Sequence, residues 1–171
     1  MAKKTSKHQP VPALALCLAW LVPGVGHMYM GRHARGIVIF VTIAATFWAG
    51  VAMGGVMTVD YEQERWWFVA EMFSGVHGLV GWQRQRRAMS RIRAAGYPEA
   101  APRARGLARR ALVEDALAKE KLALVAPTAT VARAYAGVAG LLNLMCVFDA
   151  LMLSLMGVMG EPKRKQLRAP A

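Results

Sequence analysis

Four polar side chains stand inside otherwise apolar runs of this 171-residue chain: Glu71, His77, Asn143 and Asp149. A carboxylate held in an apolar medium costs several kcal/mol unless it is paired, protonated or wet. His77 and Asn143 are natural partners for Glu71 and Asp149, and together the four could pass a proton or an ion along a helix bundle. Interhelical hydrogen bonding is the simpler use, and it is favoured because these groups are isolated and form no repeated charged stripe. Haem ligation by His27, His33 or His77 is disfavoured, since no two of them fall at one depth on facing segments. Ser6, Ser74, Ser90 and Ser154 lie in no G-x-S-x-G elbow, and no H-E-x-x-H or P-loop pattern occurs. Cys17 and Cys146 sit in separate apolar runs without a CxxC, and the eleven methionines are scattered. The expectation is a non-enzymatic protein with no catalytic residue, no metal site and no cofactor.

The elements that must position these groups announce themselves by hydropathy. Gly36 to Val59 is a run of 24 residues without a charge. As a helix it would be about 36 Å long, against a bilayer core of roughly 30 Å. Val11 to Val22 is shorter and runs into Pro23-Gly24-Val25-Gly26, which breaks a helix. Trp66 to Trp82 sits at the lower limit for a span and carries tryptophan at both ends, as interfacial anchors do. Ala134 to Gly160 is long enough to span with tilt. No small-x-small cleavage site follows the first apolar run, so it is expected to remain in the mature protein.

Between the third and fourth blocks lies a basic excursion. Gln83 to Ala95 (QRQRRAMSRIRAA) should continue the third helix until Gly96-Tyr97-Pro98, and Arg105 to Val125 should form a second helix, with Asp115 and Lys119 at the favourable i, i+4 spacing. Leu112, Ala116 and Ala123 can share one face of it. No linker, low-complexity tract or internal repeat stands out. The fold class expected is all-α: an integral membrane helical bundle with three to four apolar segments and a basic helical cytoplasmic excursion. Its divisions are a basic tail (1–10), membrane helices (11–82), the excursion (83–133), a last membrane helix (134–160) and a basic tail (161–171).

The charge of +12 and the pI near 10.5 would suit a nucleic-acid binder if the chain were soluble. With 56% hydrophobic residues and the basic residues gathered beside apolar blocks, a positive-inside membrane pattern explains them better. If the first block dips in and returns, Lys and Arg divide 17 to 5 between the faces. That scheme puts 83–133 in the cytoplasm, for a multi-pass protein of a bacterial inner membrane, and Asp60, Glu62 and Glu64 on the far side. Arg84, Arg86, Arg87, Arg91 and Arg93 then fall near the headgroups, where each adds about 1 kcal/mol of attraction to an anionic leaflet. On the main span Thr46, Gly50 and Gly54 recur every four residues. Small residues at that spacing let helices approach, within the bundle first and in a homo-oligomer second.

Pro23, Gly24, Gly26, His27, Tyr29, Gly31, Arg32 and Gly36 form the most distinctive local motif, a glycine-rich turn between the first two blocks. From Pro12 to Gly55 the arrangement resembles the TM2-domain family, in which an apolar helix meets a Gly-x-Gly…His…Tyr-x-Gly turn and then a transmembrane helix. On that resemblance Gly24, Gly26, His27, Tyr29 and Gly31 take the places of the turn residues. The sequence departs from it where Tyr29 follows so closely on His27-Met28, where Pro23 replaces a common glycine, and in lacking an aspartate-arginine-aromatic signature. The resemblance implies a two-helix membrane hairpin and no particular activity. The segment from Tyr135 to Asp149 also resembles the closing segment of small bacterial membrane proteins. Two function classes follow: a scaffold whose excursion engages anionic lipid or a membrane-protein partner, and a minimal transporter or channel component using Glu71, His77, Asn143 and Asp149. They differ in whether those four groups converge.

Overall fold

The computed structural model describes residues 10–59, 65–94, 104, 106–119 and 129–161. Among them every regular element is helical. Proline suits the first turn of a helix, where its missing N–H would be unpaired anyway, and it opens α1, Pro12–Leu21. The chain turns at Pro23-Gly24, with Gly24 at φ 83°, into the short α2, Val25–Tyr29. After Gly31 it enters α3, His33–Gly54, which starts three residues before the uncharged run and stops five before its end. Gly55 leaves helical geometry at φ 70°, and Gly55–Thr58 make a 3₁₀ turn.

The third apolar block is not one helix, which corrects the sequence expectation. It divides into α4, Arg65–Met72, and α5, Val76–Ala94. Gly75 adopts φ 64°, a left-handed conformation that ends α4, and the Ser74 hydroxyl donates to the Glu71 carbonyl at 2.5 Å. The basic stretch does extend α5, to Ala94. A further helix, α6, covers Gly106–Lys119, where Lys119 and Asp115 pair at 2.7 Å. The last helix, α7, is Ala129–Leu155, so it takes in the end of the expected excursion. Lys3, Lys4, Lys7, Asp60, Glu62, Glu64, Gly96-Tyr97-Pro98, Ala123 and the tail after Glu161 lie outside the described residues.

Helices α3 and α7 run antiparallel as the central pair. Arg35 at the start of α3 meets Asp149 late in α7, while Gly50 near the end of α3 rests on the backbone of Ala132 and Ala136 near the start of α7. The buried stripe of α7 is Ala132, Ala136, Ala139, Asn143, Val147, Ala150 and Ser154, spaced three and four residues apart and mostly small.

Two helical hairpins enter this pair from opposite ends. The first, α1–α2, starts where the Ser154 hydroxyl donates to the Pro10 carbonyl. It reaches Asn143 with Ala19 and Trp20, then returns, so that Gly26 packs on Ala15 and Ala19 and the Tyr29 hydroxyl accepts from the Val11 N–H. The second, α4–α5, enters at the other end, where Trp67 lies on Gly137, and reaches Asn143 with Phe73. It returns with Trp82 opposite Phe68, ring centroids 6.1 Å apart, and Gly81 against Val59 and Phe47. Each hairpin anchors its own apolar cluster. Ala19, Met30, Val147, Ala150 and Leu153 form one, and Ile43, Phe47, Val59, Ala136 and Ala139 the other.

The chain is therefore two inverted units, each a broken hairpin followed by a long helix: α1–α2 with α3, then α4–α5 with α7, α6 being inserted in the second. The sequence had shown no such repeat. Its trace is short, Gly24-Val25-Gly26-His27 in one turn and Gly75-Val76-His77 in the other, both opened by a positive-φ glycine. A consequence for topology follows. Because α5 leaves by the end at which α4 enters, Val59, Arg65 and Ala94 share one end of the bundle. The sequence expectation set the turn after Val59 and the excursion on opposite faces; residues 60–64 and 95–103 themselves lie outside the described residues.

Candidate functional site

The groups singled out in the sequence fall into three separate networks. Asp149 belongs to the first. Its Oδ2 receives the fully buried His27 Nε2 at 2.7 Å and the Arg35 guanidinium at 3.0 Å. A carboxylate beside arginine is an acceptor, so His27 carries its proton on Nε2. His27 Nδ1 is buried without a hydrogen-bond partner. The turn around it is tight enough that a Cβ on Gly24 would overlap the Gly36 carbonyl oxygen, and one on Gly36 would lie 2.6 Å from the Met28 side chain. Pro23, Gly24 and Gly26 are buried, Tyr29 and Gly31 half-buried. The Met30 carbonyl accepts from Gly160 N–H at 2.8 Å, and the Ala34 N–H donates to the Glu161 carboxylate at 3.1 Å, so the chain after α7 closes over this turn. Arg32, the residue before α3, is 9% exposed, and its Nε has no hydrogen-bond acceptor.

His77 forms the second network, in the other half of the bundle. Its Nδ1 accepts from the Trp48 indole N–H at 3.2 Å, with the Phe40 and Phe47 rings packed nearby. This mirrors the first network across the two units. His27 of the first hairpin bonds to the long helix of the second unit, and His77 of the second hairpin bonds to the long helix of the first.

Asn143 lies between them and is fully buried. Its Nδ2 approaches the carbonyls of Ala19 at 3.3 Å, Trp20 at 3.4 Å and Phe73 at 2.9 Å. One amide thus meets both hairpin tips. The tips also touch each other: a Cβ on Gly75 would overlap the Trp20 and Leu21 carbonyl oxygens, and one on Gly140 the Ala70 carbonyl oxygen. Glu71 is fully buried on the last turn of α4. Asp149 and His77 are held elsewhere, so the four polar groups do not share one cluster. Trp48, Arg35 and Ser74, which help complete these networks, were not among the sequence candidates.

The remaining candidates are at the surface or in packing. The Thr46 hydroxyl bonds back to the Thr42 carbonyl at 2.8 Å. A Cβ on Gly50 would lie 2.6 Å from the Ala132 carbonyl oxygen, and Gly54 also faces Ala132, so this small-residue face is covered by α7 of the same chain. Arg84, Arg86, Arg87, Arg91 and Arg93 are all exposed along α5, whose Gln85, Ala88, Met89 and Ile92 are buried. The guanidinium of Arg84 sits 5.6 Å from the Trp48 ring centroid and that of Arg86 5.0 Å from Trp82.

Residues 14–163, which include all three networks, match a family of unknown function (DUF6677). The chain belongs to that family. Comparison with curated proteins and with solved structures found no match. Within the family match, two helices, His33–Gly54 and Thr130–Leu155, are long and apolar enough to cross a membrane.

Proposed function

We propose that this member of the DUF6677 family is a non-enzymatic integral membrane protein that gathers anionic lipid on the arginine face of α5. In this reading α3 and α7 span, and the two hairpins re-enter from opposite leaflets. The tip carbonyls meet Asn143 away from water, as irregular backbone at membrane depth requires. The hairpin from α1 to α3 keeps the TM2-like reading of the turn as architecture. Counted along the sequence, the segments joined to the end at Pro10, Arg32 and Glu161 carry 9 Lys and Arg, and residues 83–133 with Arg65 carry 13, which favours the excursion as the cytoplasmic side. A bacterial inner membrane fits that arrangement.

The carrying observation is the α5 face. Five exposed arginines follow directly on a hairpin that leaves the bundle beside Trp48 and Trp82, and two of them stack on those rings. Tryptophan at headgroup level and arginine just beyond it is the arrangement that holds lipid phosphate. The test is lipid retention by the purified protein, measured by native mass spectrometry from mixed phosphatidylglycerol and phosphatidylcholine. Replacing all five arginines with glutamine should cut the anionic preference at least about tenfold, at about 1 kcal/mol per residue, and leave phosphatidylcholine retention unchanged. Equal retention of both lipids by the wild type would overturn the reading.

The opposed hairpins favour one second reading, a minimal transporter or channel component, because broken helices meeting at mid-depth between inverted units are where transporters place their sites.

A further inference from the structure

We infer that His77, buried inside the second hairpin, is a positioning residue for lipid phosphate: through Trp48 it holds the ring on which Arg84 receives an anionic headgroup. The inference rests on the lipid reading of the α5 face and adds which arginine the bundle interior controls, and by what contact.

His77, Gly81 and Arg84 stand at i, i+4 and i+7 of α5, so they share one face of that helix. Gly81 lets this face press on α3, since a Cβ there would lie 3.1 Å from the Phe47 ring. Trp48 of α3 lies against the same face and touches both ends of it. Its indole N–H donates to His77 Nδ1 at 3.2 Å, and the Arg84 guanidinium sits 5.6 Å from its ring centroid. Seven residues of helix are about 10 Å, so one indole bridges two turns of α5. The Phe47 ring meets that indole edge-on with centroids 5.5 Å apart, and the His77 imidazole stands at 89° to it.

What histidine adds at this position is its acceptor nitrogen. Nε2 is buried without a hydrogen-bond partner, so the bond from Trp48 is the one that the imidazole makes among the described residues. A phenylalanine would fill the space beside Phe40 and Phe47 without holding the indole. Arg84 is exposed, and among the described residues no carboxylate pairs with it. Held over a fixed ring, its N–H fork keeps its donors for a phosphate and loses less side-chain freedom when one binds. Arg86 is the internal comparison. It lies 5.0 Å from the centroid of Trp82, a ring set against Phe68 and not against a histidine. The coupling is reciprocal, so an anionic lipid at Arg84 also tightens the second hairpin on α3.

The experiment is native mass spectrometry of the purified full chain in mixed phosphatidylglycerol and phosphatidylcholine. His77→Phe should lower the preference for phosphatidylglycerol about fivefold, the worth of one arginine at a charged leaflet, as Arg84→Gln does. His77→Phe combined with Arg84→Gln should fall no further than either alone, whereas His77→Phe combined with Arg86→Gln should fall about 25-fold. His77→Asn, whose amide oxygen stands near the place of Nδ1, should restore most of the preference, which a role in packing alone would not allow. In the wild type, phosphatidylglycerol and not phosphatidylcholine should shift the Trp48 indole N–H resonance in ¹⁵N NMR, a readout that needs no variant at position 77. An unchanged preference in His77→Phe, or a loss that adds to Arg84→Gln as fully as to Arg86→Gln, would overturn the inference and leave the lipid reading standing. So would a Trp48 resonance indifferent to bound phosphatidylglycerol. Equal retention of both lipids by the wild type would overturn the reading and the inference together.

Discussion

His27 and Asp149 are 122 residues apart in the chain and 2.7 Å apart in the fold. Their contact ties the glycine-rich turn of the first unit to the long helix of the second, and it sets the depth to which α1 can enter. Asp149→Ala would leave the fully buried His27 without its acceptor, at a cost of roughly 2 kcal/mol. Arg35→Gln removes a half-exposed partner of the same oxygen and should cost under about 1 kcal/mol. Thermal unfolding in detergent should rank the two in that order. Equal losses would mean that the histidine contact does not hold the turn.

Trp48 and His77 make the reciprocal contact. Trp48→Phe keeps an aromatic ring and removes the N–H that His77 Nδ1 accepts. The expected loss is about 1–2 kcal/mol, and a double-mutant cycle with His77→Phe should return a coupling of about 1 kcal/mol. A coupling indistinguishable from zero would reduce this pair to simple packing.

Gly140 and Gly157 separate close approach from backbone conformation. A Cβ at position 140 would overlap the Ala70 carbonyl oxygen, whereas position 157 has open space around it but φ 65°. Gly140→Ala should therefore push α4 off α7 and cost more than about 2 kcal/mol, and Gly157→Ala about 1 kcal/mol. Chemical or thermal unfolding of both variants measures the difference. If Gly157→Ala proved the more damaging, the tip packing would not be the tight part of the fold.

What the sequence made legible was whatever a local pattern can encode. The charge-free run produced α3, Pro23-Gly24 marked the first break, and the basic stretch after Trp82 extended α5 as expected. The second break was hidden because Phe73-Ser74 is not a helix-breaking pair, and hydropathy stays high across Gly75. With that break unseen, the third block was read as one helix crossing the bundle. The candidate networks were hidden for a different reason. Asp149 finds His27, and Asn143 finds Ala19, Trp20 and Phe73, through pairings set by the packing of distant helices. No spacing along the chain records them.

The opposed hairpins in a membrane are the central claim, and site-directed labelling tests it most directly. With Cys17 and Cys146 replaced by alanine, single cysteines at the exposed positions His33, Arg65, Arg93 and Glu161 would be probed with an impermeant thiol reagent in sealed vesicles of one orientation. The account predicts that Arg65→Cys and Arg93→Cys label together from one side, and His33→Cys and Glu161→Cys together from the other. Labelling of positions 65 and 93 from opposite sides would mean that the third apolar block crosses the membrane, and would contradict the inverted-hairpin architecture.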